Sequence, residues 1–202
     1  MRRVLWDVDT QVDFVHADGK LAVPDAEAAV PAMARLVEAA RRAGIPHIAS
    51  ADDHELTDAE ISEQPDYATT YPPHCLRGTR GAEKIPETKQ GDPVPLALTV
   101  VPEKWLRGRE FLLLKKSFDA FTNPNAERLL QRLDPGEVIL FGVATDVCND
   151  AAIRGLLARG RAVTFVEEAS RGLDEARTLA CTTAWGEGGV RFASVEQVVA
   201  GL

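Results

Sequence analysis

Cysteine is scarce in this 202-residue chain: Cys75, Cys148 and Cys181 are an odd number, at spacings that form no pair. That excludes a disulfide framework and suits a reducing compartment, where a lone thiol is available as a nucleophile. Long hydrophobic runs are also missing, and no stretch approaches the roughly 20 apolar residues of a membrane-spanning helix. There is no Lys/Arg-rich run and no interleaving of basic and aromatic residues. With 23 Lys and Arg against 31 Asp and Glu the net charge is −8, which argues against a nucleic-acid surface. The start, MRRVLWDVD, puts a charge at its seventh residue, where a secretory signal needs a longer apolar run, so a cytoplasmic protein without membrane or nucleic-acid partners is expected. No repeat, low-complexity tract or compositional break divides the chain. One domain over 1–202 is therefore the expectation, and a domain of that length buries roughly 70% of its unfolded surface without help from a disulfide or metal.

What is present is an alternation. Short apolar runs recur as candidate buried strands: VLWDV near the start, IPHIASA at 45–51, EFLLLKK at 110–116, VILFGV at 138–143, AVTFVE at 162–167 and VRFA at 190–193. Between them lie stretches with helical spacing, AEAAVPAMARLVEAARRAG, NAERLLQRL, DAAIRGLLARG and EARTLACTTAWG, several running into a glycine stop. Strands with few polar alternations, each followed by a helix, predict an α/β fold with a six-stranded parallel sheet covered on both faces. Residues 52–109 break the rhythm and carry most of the prolines. A connection this long is usually functional, and ALTVV at 97–101 within it is a candidate extra strand.

In an open parallel sheet the binding crevice lies at the carboxyl ends of the strands. The first strand ends in Asp9, the second in Asp52, Asp53 and His54, the third in Lys115 and Lys116, and the fourth runs through GVATDVCND to Cys148. Only Cys148 among the cysteines follows a strand and opens a helix, where unpaired N–H groups and the helix dipole favour a thiolate and an oxyanion. A carboxylate such as Asp9 can move protons and a lysine can balance charge, but neighbours on a strand face opposite ways, so only one of Lys115 and Lys116 enters the site. The D-x-H of Asp52 and His54 puts both side chains on one face, and His74 arrives from the long loop, a set that suggests a metal. His16 and His47 have no acidic partner at useful spacing and are read as structural.

These residues carry a resemblance. DTQVDF, ADDH, YPPHCLRGTRGAE, LLLKKSFDAF and GVATDVCNDAA stand in the order found in the isochorismatase-like cysteine hydrolases, and most resemble nicotinamidases within that family. The resemblance spans nearly the whole chain. It implies a three-layer α/β/α sandwich with a catalytic trio at Asp9, Lys115 and Cys148, a cis Val143–Ala144 peptide, and an oxyanion hole from the N–H groups of Ala144 and Cys148. The resemblance implies Lys115 over Lys116, because the family's lysine lies six residues before a Phe, here Phe121. The resemblance also implies one divalent metal ion, zinc, iron or manganese, on Asp52, His54 and His74. The chain departs from the nicotinamidase pattern at Asp53, where an aromatic is common, and in ELTDAEISEQPDY, which lacks a further His followed by Ser-Phe. Phe14, Tyr71, Phe118 and Phe121 are candidate pocket walls. The expected protein is a homo-oligomer that releases ammonia from a small-molecule amide such as nicotinamide through a thioester. Rival readings are a relative acting on a carbamoyl or ureido compound, a zinc-water hydrolase in which Cys148 is incidental, and a non-catalytic binding domain.

Overall fold

The computed structural model describes residues 2–202. Its sheet is built from β1 (Arg3–Val8), β2 (His47–Asp52), β3 (Val94–Leu96), β4 (Glu110–Lys115), β5 (Glu137–Val143), β6 (Ala162–Arg171) and β7 (Arg191–Phe192). All are parallel, in the spatial order β3-β4-β2-β1-β5-β6-β7. The expected count of six is one short: a seventh strand lies at Val94–Leu96, and ALTVV at 97–101 is not a strand. Residues 97–100 are exposed and only Val101 is buried, so the run lacks the alternating buried face of a strand. Pro95 is tolerated in β3 because β3 is an edge, where a missing N–H breaks no ladder.

Helices cover both faces. On one side, α2 (Ala26–Ala43) and α6 (Val195–Gly201) bury Met33, Leu36, Val198 and their neighbours against Leu5, Ile139 and Phe141. On the other, α3 (Pro124–Leu133), α4 (Asp150–Ala158) and α5 (Glu175–Glu187) pack Leu129, Ile153 and Trp185 onto Trp6, Leu140 and Phe165. The remaining α-helix, α1 (Val12–Val15), is a single turn after β1. Helix α2 ends at Gly44, whose φ of 67° suits the left-handed cap that stops a helix. Helix α6 was not foreseen, although Ser194 and Gln197 form a capping box, a signal legible as S-x-x-Q. No helix among the described residues is long and apolar enough to cross a membrane.

Connections leave β1 toward β2 on one side and return to β5 on the other, so the sheet reverses winding between β1 and β5. That switch point is where an open α/β sheet leaves a crevice. Gly142 lets the two strands close there: its φ is 127°, and a Cβ would run into the main chain of Val8.

The long connection is pinned to the sheet from below. Lys84 Nζ donates to Asp7 Oδ2 at 2.7 Å, and both side chains are buried. Thr10 bonds Thr88 at 2.6 Å, and Gln90 Nε2 donates to the His47 carbonyl at 2.9 Å. His47 Nε2 stands 3.5 Å from Asp7 Oδ2, an acidic partner supplied across the sheet that chain spacing does not reveal. Burial works against the Asp7 charge, yet Lys84 and His47 hold its carboxyl below the ordinary aspartate range. Its contribution to stability is therefore complete above that range and lost as pH falls through the lowered value. Lys84→Met, which leaves Asp7 buried without its cation, is expected to cost about 3–5 kcal/mol. Urea unfolding at neutral pH checks this, and a loss under 1 kcal/mol would show that the pair behaves like a surface ion pair.

Candidate active site

Strand register builds the centre of the site. Asp52 and Lys115 are paired residues of β2 and β4, so their side chains leave the same face at the carboxyl end, and Lys115 Nζ donates to Asp52 Oδ1. Asp9 follows β1 with a φ of 50°, a left-handed conformation that Asp adopts more readily than most residues. Lys115 Nζ lies 2.9 Å from Asp9 Oδ2, but neither Asp9 oxygen has a well-aligned hydrogen-bond partner. From β5 the chain passes a cis Val143–Ala144 peptide into a π-helical turn, Thr145–Asn149, that feeds α4. Cys148 sits in that turn, with Sγ 3.7 Å from Lys115 Nζ. Asp9, Lys115 and Cys148 are thus brought together in the interior. Lys116 points the other way, to Asp58.

The electrostatics of this trio follow from burial. Loss of solvent and the nearby Asp52 raise the Asp9 carboxyl, against the pull of Lys115. Burial opposes the Lys115 charge, but Asp52 and Asp9 raise its ammonium well above the usual lysine value. Cys148 corrects the sequence expectation of a lowered thiol: burial pushes it well up, with Asp9 and Asp52 adding to that push and Lys115 opposing it. The lysine charge is already shared by two carboxylates and does not suffice to ionise the resting thiol.

The remaining candidates gather beside the trio. Donor atoms of Asp52, His54, His74 and Glu60 all lie within 4.8 Å of one another, and all four residues are buried. Glu60 escaped sequence reasoning, because one acid in an aperiodic loop carries no local signal. Its burial, and the neighbouring Asp52, raise its carboxyl, and Glu60 Oε2 and His54 Nε2 have no hydrogen-bond partner. Two imidazoles and two carboxylates converging in the interior, with His54 Nε2 and Glu60 Oε2 left unpartnered, fit a divalent cation of the zinc, iron or manganese type. Gln11 and Asp13 were also missed. Gln11 clamps the Asp52 main chain, accepting its N–H at 2.7 Å and donating to its carbonyl at 2.8 Å. Asp13 Oδ2 accepts the Cys75 N–H at 2.7 Å, anchoring the loop next to His74.

A small cavity of about 20 Å³ opens onto Cys148, lined among others by Phe14, Tyr71, His74, Glu60, Ala144 and Leu173. That volume has room for about one water molecule, so a larger ligand needs the wall side chains to move. Phe14 and Tyr71 flank His74, with ring centroids 5.2 and 6.3 Å away. The other two aromatic expectations are corrected. Phe121 turns inward from a 3₁₀ turn, its ring tilted against Trp6 with centroids 5.8 Å apart and lying under the Arg159 guanidinium at 3.8 Å, over Gly155, where no Cβ would fit. Phe118 is 37% exposed and does not line the cavity. Cys75 is buried in the long loop and Cys181 half-buried in α5.

A doubly wound parallel sheet with a thiol, a lysine and a carboxylate gathered at its switch point defines an α/β protein whose ligand crevice carries a candidate nucleophile. The chain belongs to the isochorismatase family: the Isochorismatase domain model matches residues 4–195. It is 29% identical over 191 residues to the nicotinamidase of Escherichia coli (strain K12), covering 85% of this chain and 84% of that one. It is 27% identical over 199 residues to the nicotinamidase/pyrazinamidase of Mycobacterium tuberculosis (strain ATCC 25618 / H37Rv), covering 97% and 98%. Among solved structures, the pyrazinamidase of Pyrococcus horikoshii in complex with zinc superposes with a TM-score of 0.75 at 20% identity, covering 96% of this chain and 99% of that one. At that identity the match speaks to the fold.

Proposed function

We propose that this hydrolase, which acts on an amide C–N bond, takes nicotinamide or a near pyridine carboxamide and uses Cys148 as its nucleophile. The observation that carries the reading is the convergence of Cys148, Lys115 and Asp9 beside a second buried cluster of Asp52, His54, Glu60 and His74. Asp9 takes the Cys148 proton as sulfur bonds to the carboxamide carbon, and the N–H groups of Ala144 and Cys148 receive the oxyanion. Asp9 returns that proton to nitrogen as the C–N bond breaks and ammonia leaves. Water then loses a proton to Asp9 and attacks the thioester, the C–S bond breaks, and the sulfur recovers its proton, leaving a carboxylic acid and the free thiol. Lys115 balances the carboxylate and thiolate charges throughout. Asp52, His54, Glu60 and His74 would hold a divalent cation, which supplies a Lewis acid able to orient a second donor atom of the substrate. A pyridine nitrogen meta to the carboxamide has that shape.

Ammonia release from purified protein tests the substrate. Nicotinamide is expected to be cleaved at least about tenfold faster than benzamide, the equivalent of one modest oriented contact. Equal rates would remove the pyridine requirement, and preference for a carbamoyl or ureido compound would redirect the substrate class. Elemental analysis tests the metal: near-stoichiometric zinc, iron or manganese is expected, reduced in His74→Ala. Activity lost to a chelator but untouched by a thiol reagent would favour attack by metal-bound water.

A further inference from the structure

Asp58 takes no part in the steps above, yet it touches the candidate metal cluster from outside. Its two carboxylate oxygens each accept from Lys116 Nζ at 2.8 Å. Its Oδ2 also accepts the Glu55 N–H at 2.8 Å and faces His54 Nδ1 at 3.4 Å, the long end of a hydrogen bond. The His54 side chain is fully buried and that of Asp58 is 13% exposed. On the far side of the same ring, Nε2 has no hydrogen-bond partner and stands 3.7 Å from Asp52 Oδ2.

The second imidazole repeats this arrangement. His74 Nδ1 lies 2.7 Å from the Pro72 carbonyl, which can only accept, so this nitrogen carries the proton. His74 Nε2 faces Asp52 Oδ2 at 3.6 Å. Each ring thus has an acceptor behind Nδ1 and turns Nε2 toward the same carboxylate, with ring centroids 4.8 Å apart. A neutral imidazole with its proton on Nδ1 offers its lone pair at Nε2, and an outer acceptor is what selects that tautomer and orients the ring. For His74 the selector is backbone, fixed by the chain path. For His54 it is a side chain, which Lys116 neutralises and the Glu55 N–H holds in place.

We propose that Asp58 is the positioning residue of His54, setting its tautomer and ring orientation so that Nε2 faces a divalent cation shared with Asp52, Glu60 and His74. The proposal rests on the metal reading of the site. It assigns no chemistry to Asp58, which acts only through His54.

The test reads zinc affinity by chelator competition on metal-free protein, and the His54 proton by ¹⁵N NMR above the histidine titration range. Only four histidines are present, and the His54→Gln spectrum assigns the signal. Wild-type protein is expected to carry the proton on Nδ1. Asp58→Ala is expected to move it toward Nε2 and to weaken zinc binding about 10–100-fold. Asp58→Asn keeps an acceptor for both Nδ1–H and the Glu55 N–H, so it retains the tautomer and loses less affinity. A loosened turn alone would leave the tautomer unmoved. Wild-type zinc affinity in Asp58→Ala, or a His54 proton already on Nε2 in the wild-type protein, overturns the proposal. A wild-type protein that takes up no zinc at all overturns the metal reading, and this inference with it.

Discussion

Cys148→Ala is expected to abolish turnover, by roughly 10⁴-fold or more, the scale on which loss of an enzymatic nucleophile acts. The expectation rests on placement. Cys148 is the cysteine in the turn after β5, with Lys115 Nζ 3.7 Å from its sulfur and Asp9 beside it. Burial keeps the resting thiol neutral, so slow alkylation by iodoacetamide in the absence of substrate is expected to accompany fast catalysis when Asp9 takes the proton. Mass spectrometry during turnover should find an acyl adduct on the peptide that contains Cys148. An adduct on Cys75 or Cys181 would overturn the assignment, and full activity in Cys148→Ala would move attack to a metal-bound water.

The second large effect belongs to Lys115. This fully buried cation stands between Asp9 and Asp52. Lys115→Met leaves two buried carboxylates facing each other without a counter-charge. The stability loss is expected to be about 3–5 kcal/mol, as for a broken buried pair, and activity should fall by orders of magnitude in protein shown by circular dichroism to be folded. The direction in pH follows from the same charges. Lys115 lowers the Asp9 carboxyl while burial and Asp52 raise it, so removing the lysine raises it further. The base form of Asp9 then appears only at higher pH, and the acid limb of residual activity moves toward alkali. Lys116→Ala, which removes a partner of Asp58 on the opposite side of the strand, is expected to cost less than about tenfold with zinc in excess. The reverse order between the two lysines would put the phase of β4 wrong by one residue.

Residues that end strands were legible because an open parallel sheet gives every carboxyl end the same destination. Asp9, Asp52, His54, Lys115 and Cys148 each stand at such an end, and the structure brings them together there. Glu60 and Asp58 lie in an aperiodic loop, where nothing local distinguishes a buried carboxylate from a solvated one. Phe118 and Phe121 show the opposite failure. An aromatic near a reactive lysine is a reasonable pocket wall, but a 3₁₀ turn sends one ring beneath Arg159 and leaves the other partly in solvent.

The amino-acid order by itself determined the α/β class, the strand ends that supply reactive groups, and the family to which the chain belongs. These follow from hydrophobic period, glycine stops and motif order, all local properties of the chain. Tertiary structure alone decided the strand order, the seventh strand at Val94–Leu96, the pairing of Asp52 with Lys115, the arrival of Glu60 beside His54 and His74, and the raised Cys148 thiol. Each of these depends on groups far apart in the chain meeting where solvent is excluded, and desolvation and charge coupling are properties of that meeting, not of either residue alone.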